Sequence, residues 1–263
     1  MTNPLTLYGF TPVPASSQTL LTSTPAYPPP NTAPIPILVS DTPIPSTRLA
    51  TRINAYAQAH LPPPTYHHSL RVYHYGLAIK RYRFPFPDWD FSDETYFLAC
   101  VLHDIGTTEE NLVATRLSFE FLGGYLALEL LQKRINQQNE TENQTNRGED
   151  GGEEDVAPRD QAESVAEAII RHQDLCTVGK ITAVGQLLQL ATIFDNTGAY
   201  ADLVHPETIK DVSAHFPRLH WSDCFAATIH RENGLKPWAH TTALGEEEFP
   251  AKVLGNKLMQ PYE

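Results

Sequence analysis

Cysteine is scarce. The three present, Cys100, Cys176 and Cys224, form no C-x-x-C pair, which excludes a disulfide framework and a thiolate zinc cluster. An odd, sparse set fits reduced thiols, so the expected compartment is the cytoplasm or the nucleus. No apolar stretch approaches the roughly 20 residues of a membrane span. The amino terminus (MTNPLTLYGF) has no basic region followed by an apolar run, so no secretory signal is expected. Positive charge is also short: 19 Lys and Arg against 31 Asp and Glu leave a formal −12. That balance argues against a nucleic-acid backbone or an anionic membrane as partner. The excess is local. Residues 140–163 carry −7 of the −12, and the rest of the chain is only mildly acidic.

Proline is plentiful at the start, with Pro28, Pro29 and Pro30 in one block and Pro34, Pro36, Pro43 and Pro45 after it. It lacks an amide hydrogen and fixes φ, so residues 1–46 are expected to form an extended arm with no helix. Residues 135–158 are polar with almost nothing apolar, and are expected to be disordered. Elsewhere apolar residues recur at helical spacing. Helices are expected over about 47–60, 65–83, 92–105, 112–134, 160–172, 181–200, 207–215 and 222–232. Gly106 should end the third in a left-handed conformation, and Gly123-Gly124 should mark a bend or a close contact. The tail 233–263 reads as irregular. The fold class is all-α, with one domain over 47–263 behind the arm.

Three places combine an ionisable residue with a segment that will be buried. His68 lies early in the second helix. His103-Asp104 closes the very apolar third helix. Asp195 follows the apolar run Leu187–Phe194. A buried charge costs several kcal/mol unless it is paired or metal-bound. One divalent cation shared by two imidazoles and two carboxylates would neutralise all four residues. Imidazole suits Zn²⁺ or Fe²⁺, and the carboxylates also admit Mn²⁺. Taken singly, each residue reads as a satisfied core histidine or a helix cap. The ordered set His68, His103-Asp104, Asp195 on successive helices points to a metal site, with zinc the first choice.

At these residues the chain resembles the HD-domain metalloprotein superfamily, which implies a helical bundle holding one metal by these four side chains. The surrounding strings are similar to those of the fungal cyanamide hydratase family, which adds water to cyanamide to give urea. They include TYHHSLRVYHYG, LHDIGTTEEN, AEAIIRHQD, GQLLQLATIFDNTGAY, KPWAHTT and LMQPYE, in order along nearly the whole chain. The stretches 24–45 and 135–158 depart from the family.

The resemblance implies a hydratase for a small uncharged substrate. Metal-bound hydroxide would attack the nitrile carbon. His172 and Asp174 are the candidates for proton transfer, because the resemblance turns their segment toward the metal. Asn196 and Thr108 are candidates for holding the substrate. Glu109 and Glu110 are expected to be solvated or ion-paired. Lys236, Trp238 and His240 lie in a tail that could close the pocket; the simpler expectation is that Trp238 plugs the core and the other two face water. His67 and His74 are expected at the surface. The rival readings are an HD-type phosphohydrolase and a hydratase of another nitrile or an isocyanide. Thr107 argues against the phosphohydrolase, since many of those resemble one another in placing Lys or Glu there. Self-association of the chain stays open.

Overall fold

The prolines that prevent one long amino-terminal helix bracket two short ones. In the computed structural model, which describes residues 3–23, 32–133 and 155–263, α1 spans Pro4–Leu7 and α2 spans Ser17–Ser23. Between them β1 (Pro12–Pro14) pairs antiparallel with β2 (Lys180–Thr182), Val13 opposite Ile181. The expectation of an arm without helix is therefore corrected. Pro4 takes the first helical position, where no amide hydrogen is needed, and the seven residues of α2 contain no proline. Residues 32–46 run extended apart from one 3₁₀ turn, Val39–Asp41. This part is tied to the bundle where Ile37 donates to Thr208 and Val39 to Asp211.

The bundle follows the apolar spacing. α3 (Arg48–His60) starts where Thr47 Oγ1 accepts from the Ala50 amide, and α5 (Asp93–Leu102) where Ser92 accepts from Thr95. Such caps contribute about 1 kcal/mol each. α4 (Pro63–Arg83) begins on Pro63, again at a first helical position. α5 is apolar all round and wholly buried from Thr95 to Leu102, because α3, α4, α8 (Arg159–Ile170) and α9 (Ala183–Thr197) pack around it. α9 ends on Gly198 at φ 70°, a left-handed terminator.

Gly106 does not play that part. It sits in the 3₁₀ turn Ile105–Thr107, and a Cβ there would lie 2.1 Å from the Phe119 carbonyl oxygen. The need is for close approach. Gly124 is similar: its Cβ would meet Ile170 at 2.4 Å, so the glycine pair lets α7 (Phe119–Gln132) press on α8 without a bend.

The helix expected over 112–134 is two helices, α6 (Glu109–Ala114) and α7. The break is held from the tail. Trp238 Nε1 donates to the Arg116 carbonyl and Lys236 Nζ to that of Leu117, while Glu232 accepts the Phe119 amide. The tail is accordingly not irregular. After α10 (Pro206–His215) and α11 (Trp221–Leu235) come a 3₁₀ turn at His240–Leu244 and α12 (Glu248–Leu254). The region expected to be disordered lies outside the described residues except for 155–158. There Ala157 is buried and donates to the Leu131 carbonyl, and Arg52 donates to the Asp155 carbonyl. The class is all-α. No helix among the described residues is long and apolar enough to cross a membrane.

Candidate metal centre

His68 stands on the second turn of α4. His103 closes α5, and Asp104 opens the 3₁₀ turn behind it. All three side chains are buried. His103 Nδ1 is 2.7 Å from the Cys100 carbonyl, and His68 Nδ1 is 2.6 Å from Asp195 Oδ2. A carbonyl and a carboxylate can only accept, so each Nδ1 carries the hydrogen and each Nε2 is left as the lone-pair nitrogen. The two Nε2 atoms face Asp104 Oδ2 at 3.8 Å (His68) and 3.2 Å (His103). One ligand atom from each residue lies within 4.8 Å of the other two. His68 Nε2 and both Asp104 oxygens are buried without a hydrogen-bond partner among the described residues. Stranding buried polar atoms costs about 1–3 kcal/mol each. Two imidazole nitrogens and a carboxylate converging on one point fit a divalent cation.

Electrostatics follow from burial and pairing. Burial holds His68 down at about 4 against the pull of Asp195, so the ring is neutral. Burial would raise the Asp104 carboxyl, but His103 and His68 outweigh it and hold it at about 2. Burial would lower His103, and Asp104 more than offsets that. A cation bound there would supply the counter-charge to Asp104 and would take the two imidazoles deprotonated at Nε2.

Asp195 does not join the cluster. Its Oδ1 accepts from Arg218 at 2.8 Å, and its Oδ2 accepts from Arg71 at 2.9 Å and from His68. Burial would raise this carboxyl, but the two guanidinium groups hold it well below the ordinary carboxylate range. Its place is behind His68, whose ring it orients; Trp221 stacks on the other side at 4.1 Å. Arg218 is closed off in turn by Glu263 at 2.8 Å.

Beside His68, His103 and Asp104 lies a cavity of about 20 Å³, lined by His103, Asp104, His172, Gln173, Thr192 and Asn196 and walled by Leu175, Ile193, Phe225, Leu244 and Phe249. It has room for little more than one water. His172 is buried, its Nδ1 2.6 Å from the Ile169 carbonyl and its ring edge-on to His103 at 5.1 Å. Burial and the neighbouring His103 lower its pKa. Asn196 lines the cavity with Oδ1 fixed by Trp221 Nε1 at 2.8 Å. The other two candidates lie elsewhere. Asp174 is held by Arg171 at 2.9 Å and His240 at 3.2 Å. Thr108 caps α6 through the Asn111 amide. Larger concavities, of about 700 and 820 Å³, sit at the surface around Tyr82 and Tyr56 and contain none of the three ligand residues.

No protein-family model matches the chain. Two curated relatives do: cyanamide hydratase DDI2 and cyanamide hydratase DDI3 of Saccharomyces cerevisiae. Each is 42% identical over 214 residues, covering 81% of this chain and 85% of the relative. The chain belongs to the cyanamide hydratase family.

Within that family identity, several sequence expectations are corrected. His74 is buried, with Nδ1 2.6 Å from Thr42 Oγ1, and not at the surface. Trp238 is exposed and Lys236 buried, the reverse of the expected arrangement. Glu109 is ion-paired with Arg231, as expected. Sequence reasoning missed Arg71 and Arg218, the charges that anchor Asp195. One signal was available: Arg71 follows His68 by three residues on one helix, and so shares its buried face.

Proposed function

We propose that this chain is a metal-dependent hydratase that converts cyanamide to urea, with zinc held by His68, His103 and Asp104. The observation that carries the reading is the set of unpartnered buried ligand atoms beside a cavity of about 20 Å³, in a chain similar to two proteins named cyanamide hydratase. The order His68, His103-Asp104, Asp195 also fits the HD-domain superfamily, but where that resemblance implies Asp195 as a fourth ligand, this reading makes it the residue that orients His68. A bound divalent ion supplies Lewis acidity and brings the pKa of water to about 7.

The chain's own residues then manage protons and position. Water oxygen bonds to the nitrile carbon, one C–N π pair moves to the nitrile nitrogen, and that nitrogen takes a proton. The resulting isourea tautomerises to urea. His172, with its Nδ1 hydrogen committed to the Ile169 carbonyl, offers Nε2 to accept a proton from the water and return it to the nitrogen. Its lowered pKa favours the neutral, accepting form. Asn196, fixed by Trp221, orients the substrate amine from the wall. Leu244, Phe225 and Phe249 exclude bulk water and larger substrates. Thr108 acts through the helix start it caps, and Asp174 through its contacts with Arg171 and His240.

The phosphohydrolase reading loses support here. Among the described residues no Lys or Arg lines the cavity, and the guanidinium groups of Arg71 and Arg218 are committed to Asp195. Metal analysis of the purified protein with a cyanamide-to-urea assay tests the proposal. Urea formation that tracks bound metal supports it; undiminished turnover after complete metal removal, or phosphate release from nucleotides without urea formation, overturns it.

A further inference from the structure

His240 lies outside the cavity and outside the metal centre, yet it joins three separate elements. Its amide donates to Ser118 Oγ at 2.9 Å. Its Nδ1 is 2.7 Å from Glu120 Oε1 on α7, and its Nε2 is 3.2 Å from Asp174 Oδ1 in the loop after α8. Phe121 stacks on the ring at 5.5 Å. Carboxylate oxygens accept, so the Glu120 contact needs a hydrogen on Nδ1, and a second carboxylate 3.2 Å from Nε2 favours the charged ring with hydrogen on both nitrogens. The geometry therefore calls for an imidazolium.

Charge bookkeeping around the ring points the same way. Glu120 and Glu232 are both buried, and one oxygen of Glu120 has no hydrogen-bond partner among the described residues. Lys236, also buried, sits 3.9 Å from Glu232, and Arg171 pairs with Asp174. A neutral His240 would leave the buried Glu120 carboxylate with only Lys236, which Glu232 also holds, as a cation near it, a costly arrangement. The neighbour in the tail continues the tie: Thr241 Oγ1 is 3.1 Å from Gln173 Oε1 and 2.9 Å from Glu232 Oε2. Gln173 and Leu244, on either side of this tie, line the cavity.

We propose that His240 is a positioning residue: as an imidazolium between Glu120 and Asp174 it latches the His172–Asp174 loop to the tail and so holds His172 over the cavity. Its effect on turnover rests on the cyanamide reading; the latch itself does not. The contact with Glu120 raises the pKa of His240 above its ordinary 6.5, burial opposes this, and Asp174 and Glu232 add to the rise. Burial likewise raises the Glu232 carboxyl and lowers Lys236, which Arg116 also faces. A raised folded pKa means the latch is complete below the unfolded value and is lost as pH rises through the folded one.

The test uses zinc-loaded full-length protein across neutral and alkaline pH. It compares wild type, His240→Gln and Glu120→Gln, following urea formation and the NMR titration of the His240 ring hydrogen. The wild-type ring should titrate above 6.5, and the alkaline fall in kcat should coincide with it. Glu120→Gln should move both to lower pH. His240→Gln should cut kcat roughly tenfold, with KM little changed and the alkaline fall gone. A contact that merely supports folding would lower the folded fraction without moving the pH profile, and that result overturns the proposal. So does a wild-type ring that titrates at or below 6.5, or one that Glu120→Gln leaves unmoved. Should wild type make no urea, the cyanamide reading fails and the ring titrations alone decide the latch.

Discussion

α4 carries two buried histidines that look alike by every local measure. His68 and His74 each have Nδ1 fixed at 2.6 Å, by Asp195 and Thr42. Each has a buried Nε2 without a hydrogen-bond partner among the described residues. Each lies flat against an aromatic ring, Trp221 at 4.1 Å and Phe216 at 5.1 Å. Burial pushes both down to about 4. The difference is what stands opposite the free nitrogen. His68 faces Asp104 and His103, two more ligand-type groups within 4.8 Å, and both Asp104 oxygens lack a hydrogen-bond partner among the described residues. The ionisable groups nearest His74 are His215 and Asp211, which pair with each other. An orphaned, desolvated imidazole is thus no site by itself; convergence of several such atoms makes one.

The comparison can be broken most sharply at Asp104. Asp104→Ala should reduce zinc content to background and abolish urea formation, read by metal analysis and assay, whereas His74→Phe should leave both intact. Equal zinc loss in the two variants would erase the distinction drawn here. Next in size is His172→Gln. Loss of a general acid–base group should lower kcat by about 10²–10⁴ while zinc content stays at the wild-type level.

A smaller effect sharpens the place of Asp195. Asp195→Asn keeps a group behind His68 but drops the charge, and zinc affinity measured by chelator competition should weaken about 10–100-fold. Zinc loss as complete as in Asp104→Ala would make Asp195 a direct ligand.

The smallest effect belongs to His74. Its folded pKa lies below the unfolded one, so the stability it permits is full above about 6.5 and falls as pH drops toward about 4. The slope for one such proton is about 1.4 kcal/mol per pH unit. His74→Phe should flatten the acid side of the melting-temperature profile and leave the neutral side nearly unchanged. An unaltered acid slope would mean that His74 is not the buried neutral group described.

Much of the bundle was legible before any coordinates. α3, α4, α8 and α10 fall within two residues or so of their expected bounds, because their apolar periodicity and the caps at Thr47 and Ser92 are local signals. The break between α6 and α7 was not legible: its carbonyls are satisfied by Trp238 and Lys236, more than a hundred residues away. The short arm helices escaped because the proline argument treated a whole stretch as one unit. Within the site, His68 and His103-Asp104 could be named from order and burial. Whether Asp195 pointed at that cluster or at two arginines was not legible, since Arg218 is distant in sequence and only the spacing of Arg71, three residues past His68, hinted at a partner.

The sequence by itself therefore determined which segments would be helical and which ionisable residues would be buried, since both are set by local spacing and composition. Tertiary structure alone decided which of those buried groups share an empty point and which are already satisfied. That outcome depends on distances between atoms on different helices, and no single helix contains them.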